Sequence, residues 1–465
     1  MIRDWQQQIG SCGCQTDPAS LSADFEIADQ LKQENQDLRQ QLESSERENH
    51  RSATPFSKGK RKENPQKPGR KPGQGKFRHK PAPEPREPDE IQEFQASLDT
   101  EACPKCGAKL ERQASETATT IDLPRLIGRV IKYFSIEVAE CTGCGHKVRG
   151  THPELAKDQF GATAHRIGSR VDALALALHY DSGMSLRQTE KVLNDYLQIP
   201  VTQSAITQKA LKAAEQGKLG ELAQEIKAEL AQADIIHTDD TGWKVGGTPH
   251  FLMTFCNEKA IYYQIERHHR AAEVAQVIDP SFRGIVVVDG FTSYQPQSFD
   301  SVPQQRCLAH RQRNLTDLAD RKAGKGRWFA NDTKDVFRQA MELRELNLAG
   351  HGTAKEFQTA VIDLKQKLDH HLRPRSLSDP DNQKMLNSLW LQNQKGQLLR
   401  FLDHPKLEPT NNRAERALRP GVKARKVSQC SKNQRGAQSR AAITSVTATS
   451  RLKKESVLET LASAL

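Results

Sequence analysis

Four carboxylates stand where chemistry would need them. Asp239 and Asp240 follow the apolar start of "ADIIHTDDTGW" (233–243), Asp289 follows four apolar residues in "GIVVVDG" (284–290), and Glu415 lies in "PTNNRAERALRP" (409–420). Ionised carboxylates supply the oxygen ligands that a hard cation such as Mg²⁺ requires. Two such ions, roughly 4 Å apart, activate an attacking oxygen and stabilise a leaving one in phosphoryl transfer. Each acid also has a plainer role. Asp240 before Thr241 and Gly242 can start a turn, as can Asp289 before Gly290. Glu415, three residues after Asn412, fits a capping box with Asn412 as the cap. Adjacent strand residues point to opposite faces, so at most one of Asp239 and Asp240 is expected to face Asp289.

The cysteines form a second group. Nine are present, and four make two CxxC pairs, Cys103 with Cys106 and Cys141 with Cys144, with 34 residues between the pairs. Each pair sits among Pro and Gly in a turn, and the gap holds strand-like "RVIKYFSIEVAEC". Four thiolates in two knuckles match one tetrahedral, closed and therefore structural Zn²⁺ site. Cys307 and His310 in "CLAH" are half a metal site at most, which favours a packing role.

The acids lie far apart in sequence, so the elements around them must bring them together. "ADIIHT", "PHFLMTFC", "AIYYQIE" and "GIVVVDG" read as strands, the second and third as a hairpin, with "RAAEVAQVI" as a helix before the last. "VPQQRCLAH" reads as a short strand leading into a helix, residues 311–400 as mostly helical with Trp328 and Trp390 as core anchors, and a further helix opens near residue 412. Strand, hairpin, helix, strand and later helices is the order of an RNase H-like α/β core. It carries acids at the end of its first strand, after its fourth and on a late helix. The fold class expected is thus multidomain α+β, an RNase H-like core at 231–440 with a helical insertion at about 311–400 and a C-terminal helix at 441–465. Ahead of it come a zinc ribbon at 96–155 and a helical region at 156–230. In that region "SLRQTEKVLNDYL" and "IPVTQSAITQKALKAA", broken at Pro200, fit a helix-turn-helix with Gln203 and Lys209 on its second helix.

Residues 20–50 read as a helix with heptad character: Leu21, Ala28, Asn35 and Leu42 share one position and Leu31 and Leu38 another, as in a short coiled coil. Residues 51–95 are a Lys/Pro/Gly-rich linker whose "KPGRKPGQGK" cannot pack a core and places Arg70 and Lys71 to lie along DNA.

Charge points to a polyanion. The net charge is +11, yet residues 51–80 carry +10 and residues 400–440 carry +8, leaving −7 for the remainder. Two concentrated basic segments favour nucleic acid over a diffuse positive surface. Arg413, Arg416, Arg419, Lys423 and Arg425 cluster around Glu415, where arginines can hold DNA phosphates and lower carboxylate pKa values. The longest apolar run, "VDALALALHY", is too short to cross a bilayer, and "MIRDWQQQIG" has no secretory apolar region, so a cytoplasmic protein is expected.

The segments "HTDDTGWKVGG", "HFLMTF", "VVVDGFTSYQ", "RCLAHRQRNL" and "PTNNRAERALRP" resemble the core of insertion-sequence transposases of the IS-66 type, over about residues 185–455. The helix, basic linker and zinc ribbon upstream follow that family's order. The resemblance implies a DDE transposase whose aspartate, aspartate, glutamate triad holds two Mg²⁺ (or Mn²⁺) ions. Its "DET" block aligns with "DDT" here, so the triad falls on Asp239, Asp289 and Glu415, with Asp240, Cys307 and His310 as supporting residues. It further implies binding to terminal inverted repeats, cleavage of the element's ends, and joining of the freed 3′-OH strands to target DNA. The working form would be a homodimer on paired ends, associated with the bacterial nucleoid, with accessory proteins of the element as candidate further partners. Two departures stand out: a short C-terminal tail and a reduced lead-in, "NHRSATPFSKGK", before the linker. A DNA-binding regulator or domesticated transposase without catalysis, or a metal-dependent nuclease, are the alternatives.

Overall fold

The computed structural model describes residues 129–465 except 141, 145, 157, 161–163, 165 and 290–298, together with Glu34, Asp37, Leu38 and Ala108. The chain divides into two units, Met1–Arg51 with Ile131–Leu465, and Ser52–Val130. In the second, Ala108, Arg129 and Val130 are described.

A short antiparallel hairpin, β1 (Val138–Glu140) and β2 (Lys147–Arg149), comes first. Four helices follow: α1 (Ser169–Leu176), α2 (Leu186–Lys191), α3 (Gln203–Glu215) and α4 (Lys218–Ala231). Then come β3 (Ile235–Val245), β4 (Thr248–Cys256), β5 (Ile261–Glu266), α5 (Ala271–Ala275), β6 (Ile285–Val288) and β7 (Gln304–Arg306). The helical segment after β7 is α6 (Leu308–Asp320), α7 (Trp328–Leu348), α8 (Ala354–Leu372) and α9 (Pro380–Gln394). The chain closes with α10 (Asn412–Ser428), α11 (Gln434–Leu452) and α12 (Val457–Ser463).

The five later strands form one mixed sheet in the order β5-β4-β3-β6-β7. β3 is antiparallel to β4, and β4 to β5, whereas β3–β6 and β6–β7 are parallel. β6 is four consecutive β-branched residues buried on both sides, as a central parallel strand requires.

β3 does not end at its aspartates. It runs on to Val245, pairing residue for residue with β4 from His237 opposite Cys256 to Val245 opposite Thr248. The reversal falls at Gly246 and Gly247, whose φ values of 57° and 86° suit a tight hairpin. The turn expected at Asp240-Thr241-Gly242 is therefore absent, because cross-strand pairing outweighs local turn preference.

The sheet separates two cores. Ile236, Met253, Phe255, Val286 and Val288 pack with α1, α3, α4, α11 and α12. Ile285 and Val287, one residue out of phase, pack with α6 to α9 through Leu315, Phe337, Leu368 and Leu389. α11 also closes the sheet's edge. Ser445 Oγ accepts from the Tyr263 amide (2.9 Å), while Thr449 Oγ1 accepts from the Ile261 amide (3.0 Å) and donates to the Ile261 carbonyl (3.1 Å). An unpaired strand edge is thereby covered by a helix rich in hydroxyls. α11 spans residue 440, where a boundary was expected.

Trp328 corrects an expectation. It is 59% exposed, at the first position of α7, and anchors no core. Trp390 is half-buried against the insertion core.

Candidate active site

The sheet register brings two of the acids together. The last parallel rung between β3 and β6 is His237 opposite Val287. Asp239 and Asp289 each lie two residues further on, so both point to the face of His237 and Val287, Asp239 partway along β3 and Asp289 just past the end of β6. Asp240 points the other way, and its Oδ1 lies 3.1 Å from Nδ1 of the buried His269.

The third acid arrives on α10, which is fastened along β3 at both ends. At its start the buried Asn411 side chain donates to the Thr238 carbonyl (2.7 Å), next to Asp239. The Asn411 amide donates to Cys307 Sγ (3.1 Å), and the Leu308 amide to the Pro409 carbonyl (2.9 Å). At its end Arg425 donates to Thr241 Oγ1 and the Gly242 carbonyl, and Ser431 donates its amide to the Lys244 carbonyl (3.0 Å). Gly421 permits the close approach between these clamps. A Cβ there would lie 2.3 Å from Leu252 Cδ2 on β4.

Asn411, not Asn412, therefore caps α10, and its side chain bonds β3 rather than the helix's own amides. The capping box read for Glu415 is absent. Glu415 sits in the first turn with Oε1 shut off from solvent and without a hydrogen-bond partner. His310 Nδ1 and Arg313 Nη2 are each 3.8 Å from that oxygen, too far for a hydrogen bond.

Electrostatics tie the three acids together. The Asp239 carboxyl is pushed up to about 8, first by burial, then by the charge of Asp289, with Asp240 and Glu415 adding to it. The Asp240 amide, donating to Asp239 Oδ1 (2.9 Å), offsets this in part. Beside them His237 stays neutral, pushed down to about 4 chiefly by burial. The thiols are inert. Burial raises Cys307, and Cys256 to about 12. Cys307 anchors α10 instead.

Two arginines that the sequence reading passed over belong here. Arg306 and Arg311 are buried on either side of "CLAH". Burial lowers both, Arg306 to about 10, and the charge of Asp289 pulls both back up. Their signal was in the sequence: two arginines flank a segment with apolar neighbours, and a buried guanidinium needs an anion.

Among the described residues no three His, Cys, Asp or Glu side chains stand close enough to hold a metal ion. The donor chemistry of Asp239, Asp289 and Glu415 nonetheless fits a hard divalent cation. All three are carboxylates, one raised to about 8 by burial and by its acidic neighbours and one with a sheltered, unbonded oxygen. For the zinc ribbon, Cys144 is an exposed free thiol between β1 and β2, while Cys103, Cys106 and Cys141 lie outside the described residues. So do Arg70, Lys71 and, apart from the helical Glu34, Asp37 and Leu38, the coiled-coil segment.

The basic residues divide by engagement. Arg413 holds Glu408 (2.7 Å), and Lys423 donates to the Ser182 carbonyl (2.8 Å). Arg416 and Arg419 are exposed on the outer side of α10. Further off, Gln203 donates to Glu190 (2.7 Å) and Lys209 pairs with Asp172 (2.8 Å), holding α3 to α2 and α1. No helix among the described residues is long and apolar enough to cross a membrane.

A comparison with curated proteins gave no match. Among solved structures the chain matches the HTLV-2 integrase catalytic core domain in complex with magnesium (trimeric form), at 10% identity. The match covers 33% of this chain and 93% of that one, with a TM-score of 0.14, a likeness too slight to build on. The model of the Transposase IS66 family matches residues 165–439, which hold all three acids, the "CLAH" segment and α10. The chain belongs to the IS66 family of transposases.

Proposed function

We propose that the chain is a DDE transposase with an RNase H-like catalytic core, in which Asp239, Asp289 and Glu415 hold two divalent cations. The observation that carries the reading is the β3–β6 register, whose last rung, His237 opposite Val287, lies two residues before both Asp239 and Asp289, while Asn411 fastens the helix of Glu415 to Thr238. The sheet supports it too: an antiparallel hairpin beside a long first strand, then two parallel strands, with acids at the first and fourth.

Divalent cations held there would activate the attacking oxygen and offset charge on the leaving one. The chain's own residues supply the rest. The buried Arg306 and Arg311 are favoured as cations by the charge of Asp289. Arg416 and Arg419, with Lys426 further along the same face of α10, form a track of about 15 Å for a DNA backbone running away from Glu415. Hydrolysis at an element end breaks one phosphodiester bond and frees a 3′-OH. That hydroxyl then attacks a target phosphodiester in line, forming one bond as another breaks, and no covalent protein–DNA intermediate is needed. The zinc ribbon, the helix-turn-helix and the basic linker would recognise the terminal inverted repeats, and the coiled coil would pair two subunits.

The test incubates the protein with labelled element ends, a plasmid target and Mg²⁺. Cleaved ends joined to plasmid are expected. Binding without cleavage would indicate a silent regulator, and cleavage without joined product a nuclease.

A further inference from the structure

The turn that carries Trp328 is held from several sides. Lys322 pairs with Asp379 (2.7 Å) and Asp381 (2.6 Å) at the start of α9. Arg327 Nε donates to the Lys322 carbonyl (2.6 Å), and Asn382 Nδ2 to the Gly326 carbonyl (2.9 Å). Gly324 takes a φ of +51°, which a side chain would strain. Behind the turn, the buried Phe329 ring stacks on His371 at 5.4 Å.

On this fixed base the Trp328 indole faces solvent, with Lys325 Nζ 5.8 Å from its ring centre. Arg327 is exposed beside it. A large aromatic ring kept in water forgoes the burial that ordinarily places it in a core. Its neighbours are cations, and the nearby acids Asp379 and Asp381 are occupied by Lys322. An aromatic face flanked by lysine and arginine has the chemistry to stack a nucleobase while its cations take the adjoining phosphates. A site for an apolar protein surface would not need the cations.

Position agrees. α6 starts beside Glu415, through His310 and Arg313, and ends at Asp320, just before this turn. Its 13 residues span about 20 Å, roughly six steps of duplex DNA.

We infer that Trp328, with Lys325 and Arg327, is a stacking platform for a base displaced from the DNA duplex, several base pairs from the bond that is cut. This rests on the DNA-processing reading above, and gives the helical insertion a task within it.

The full-length protein is titrated, without Mg²⁺, with a fully paired duplex and with the same duplex carrying one unpaired 2-aminopurine. The unmodified chain is expected to prefer the unpaired probe and to quench its fluorescence. Trp328→Ala should weaken binding to that probe by about 5- to 150-fold and abolish the quenching, whereas Trp328→Phe keeps most of both. Lys325→Ala should weaken both probes alike. Trp328 is exposed, so an unchanged thermal midpoint is expected to accompany the loss. Equal binding of the unpaired probe by Trp328→Ala and the unmodified chain would overturn the platform alone. So would a change in oligomeric state with DNA affinity intact, which would mark a protein contact. Failure of the unmodified chain to bind either probe would defeat the DNA reading and the platform with it.

Discussion

Asp239 and Asp240 are neighbours on one strand and live in opposite conditions. Asp240 turns to the face closed by α1, α3, α4, α11 and α12, where His269 sits 3.1 Å from its carboxylate. On that side even the strand edge is answered, by Ser445 and Thr449 of α11. Asp239 turns to the opposite face, where burial raises its carboxyl and the charges of Asp289 and Glu415 add to the rise. One face pairs Asp240 with an imidazole, and the other concentrates like charges that a cation or a proton relieves. Such unrelieved electrostatics mark a site kept for chemistry rather than for stability.

The largest expected effect separates these faces. Asp239→Asn, Asp289→Asn and Glu415→Gln should each lower strand cleavage on the order of 10³-fold or more while DNA binding persists, measured with labelled ends. A smaller loss follows from loosening what positions Glu415. Asn411→Ala leaves the Thr238 carbonyl without its donor (2.7 Å) and should cost about 1–3 kcal/mol of stability. The same variant should cut cleavage by up to about 100-fold through misplacement of α10, read by denaturant melts and the cleavage assay together.

Acidity sharpens the contrast next. Asp239 stands at about 8 in the fold, above the ordinary 3.8, so its contribution is full below pH 3.8 and is lost as pH rises through about 8. His237, lowered from 6.5 to about 4, contributes fully above pH 6.5 and is lost as pH falls through about 4. Between pH 6.5 and 8 the Asp239 effect stands apart from that of His237. Without added divalent metal, stability should fall over that window by up to about 2 kcal/mol, and by less in Asp239→Asn. Denaturation midpoints against pH check this, and a flat profile in both proteins would contradict it. Smallest of all, Asp240→Asn should change cleavage by less than about tenfold, because its loss falls on the His269 contact behind the sheet.

Much of this arrangement was legible in the residues. Ile285–Val288 reads as a buried strand because β-branched side chains fill both of its sides, and its end locates Asp289. The continuation of β3 past Asp240 was not legible. Asp-Thr-Gly favours a turn locally, and the pairing that overrides it comes from β4. The capping role assigned to Asn412 failed for a similar reason. Asn411 is committed to a carbonyl 173 residues away, which no local pattern reveals. Arg306 and Arg311 left a signal in their apolar surroundings, but its meaning depends on burial near Asp289; Trp328 left none, because an aromatic at helical spacing gives no sign of facing water.

The central claim is that Asp239, Asp289 and Glu415 form one cation site and that Asp240 lies outside it. Calorimetric titration of Mn²⁺ into the full-length protein tests it most directly. Binding is expected in the unmodified chain and in Asp240→Asn, and should weaken about tenfold or more in Asp239→Asn, Asp289→Asn and Glu415→Gln. Mn²⁺ affinity that survives Asp239→Asn, or that is lost in Asp240→Asn, would contradict it.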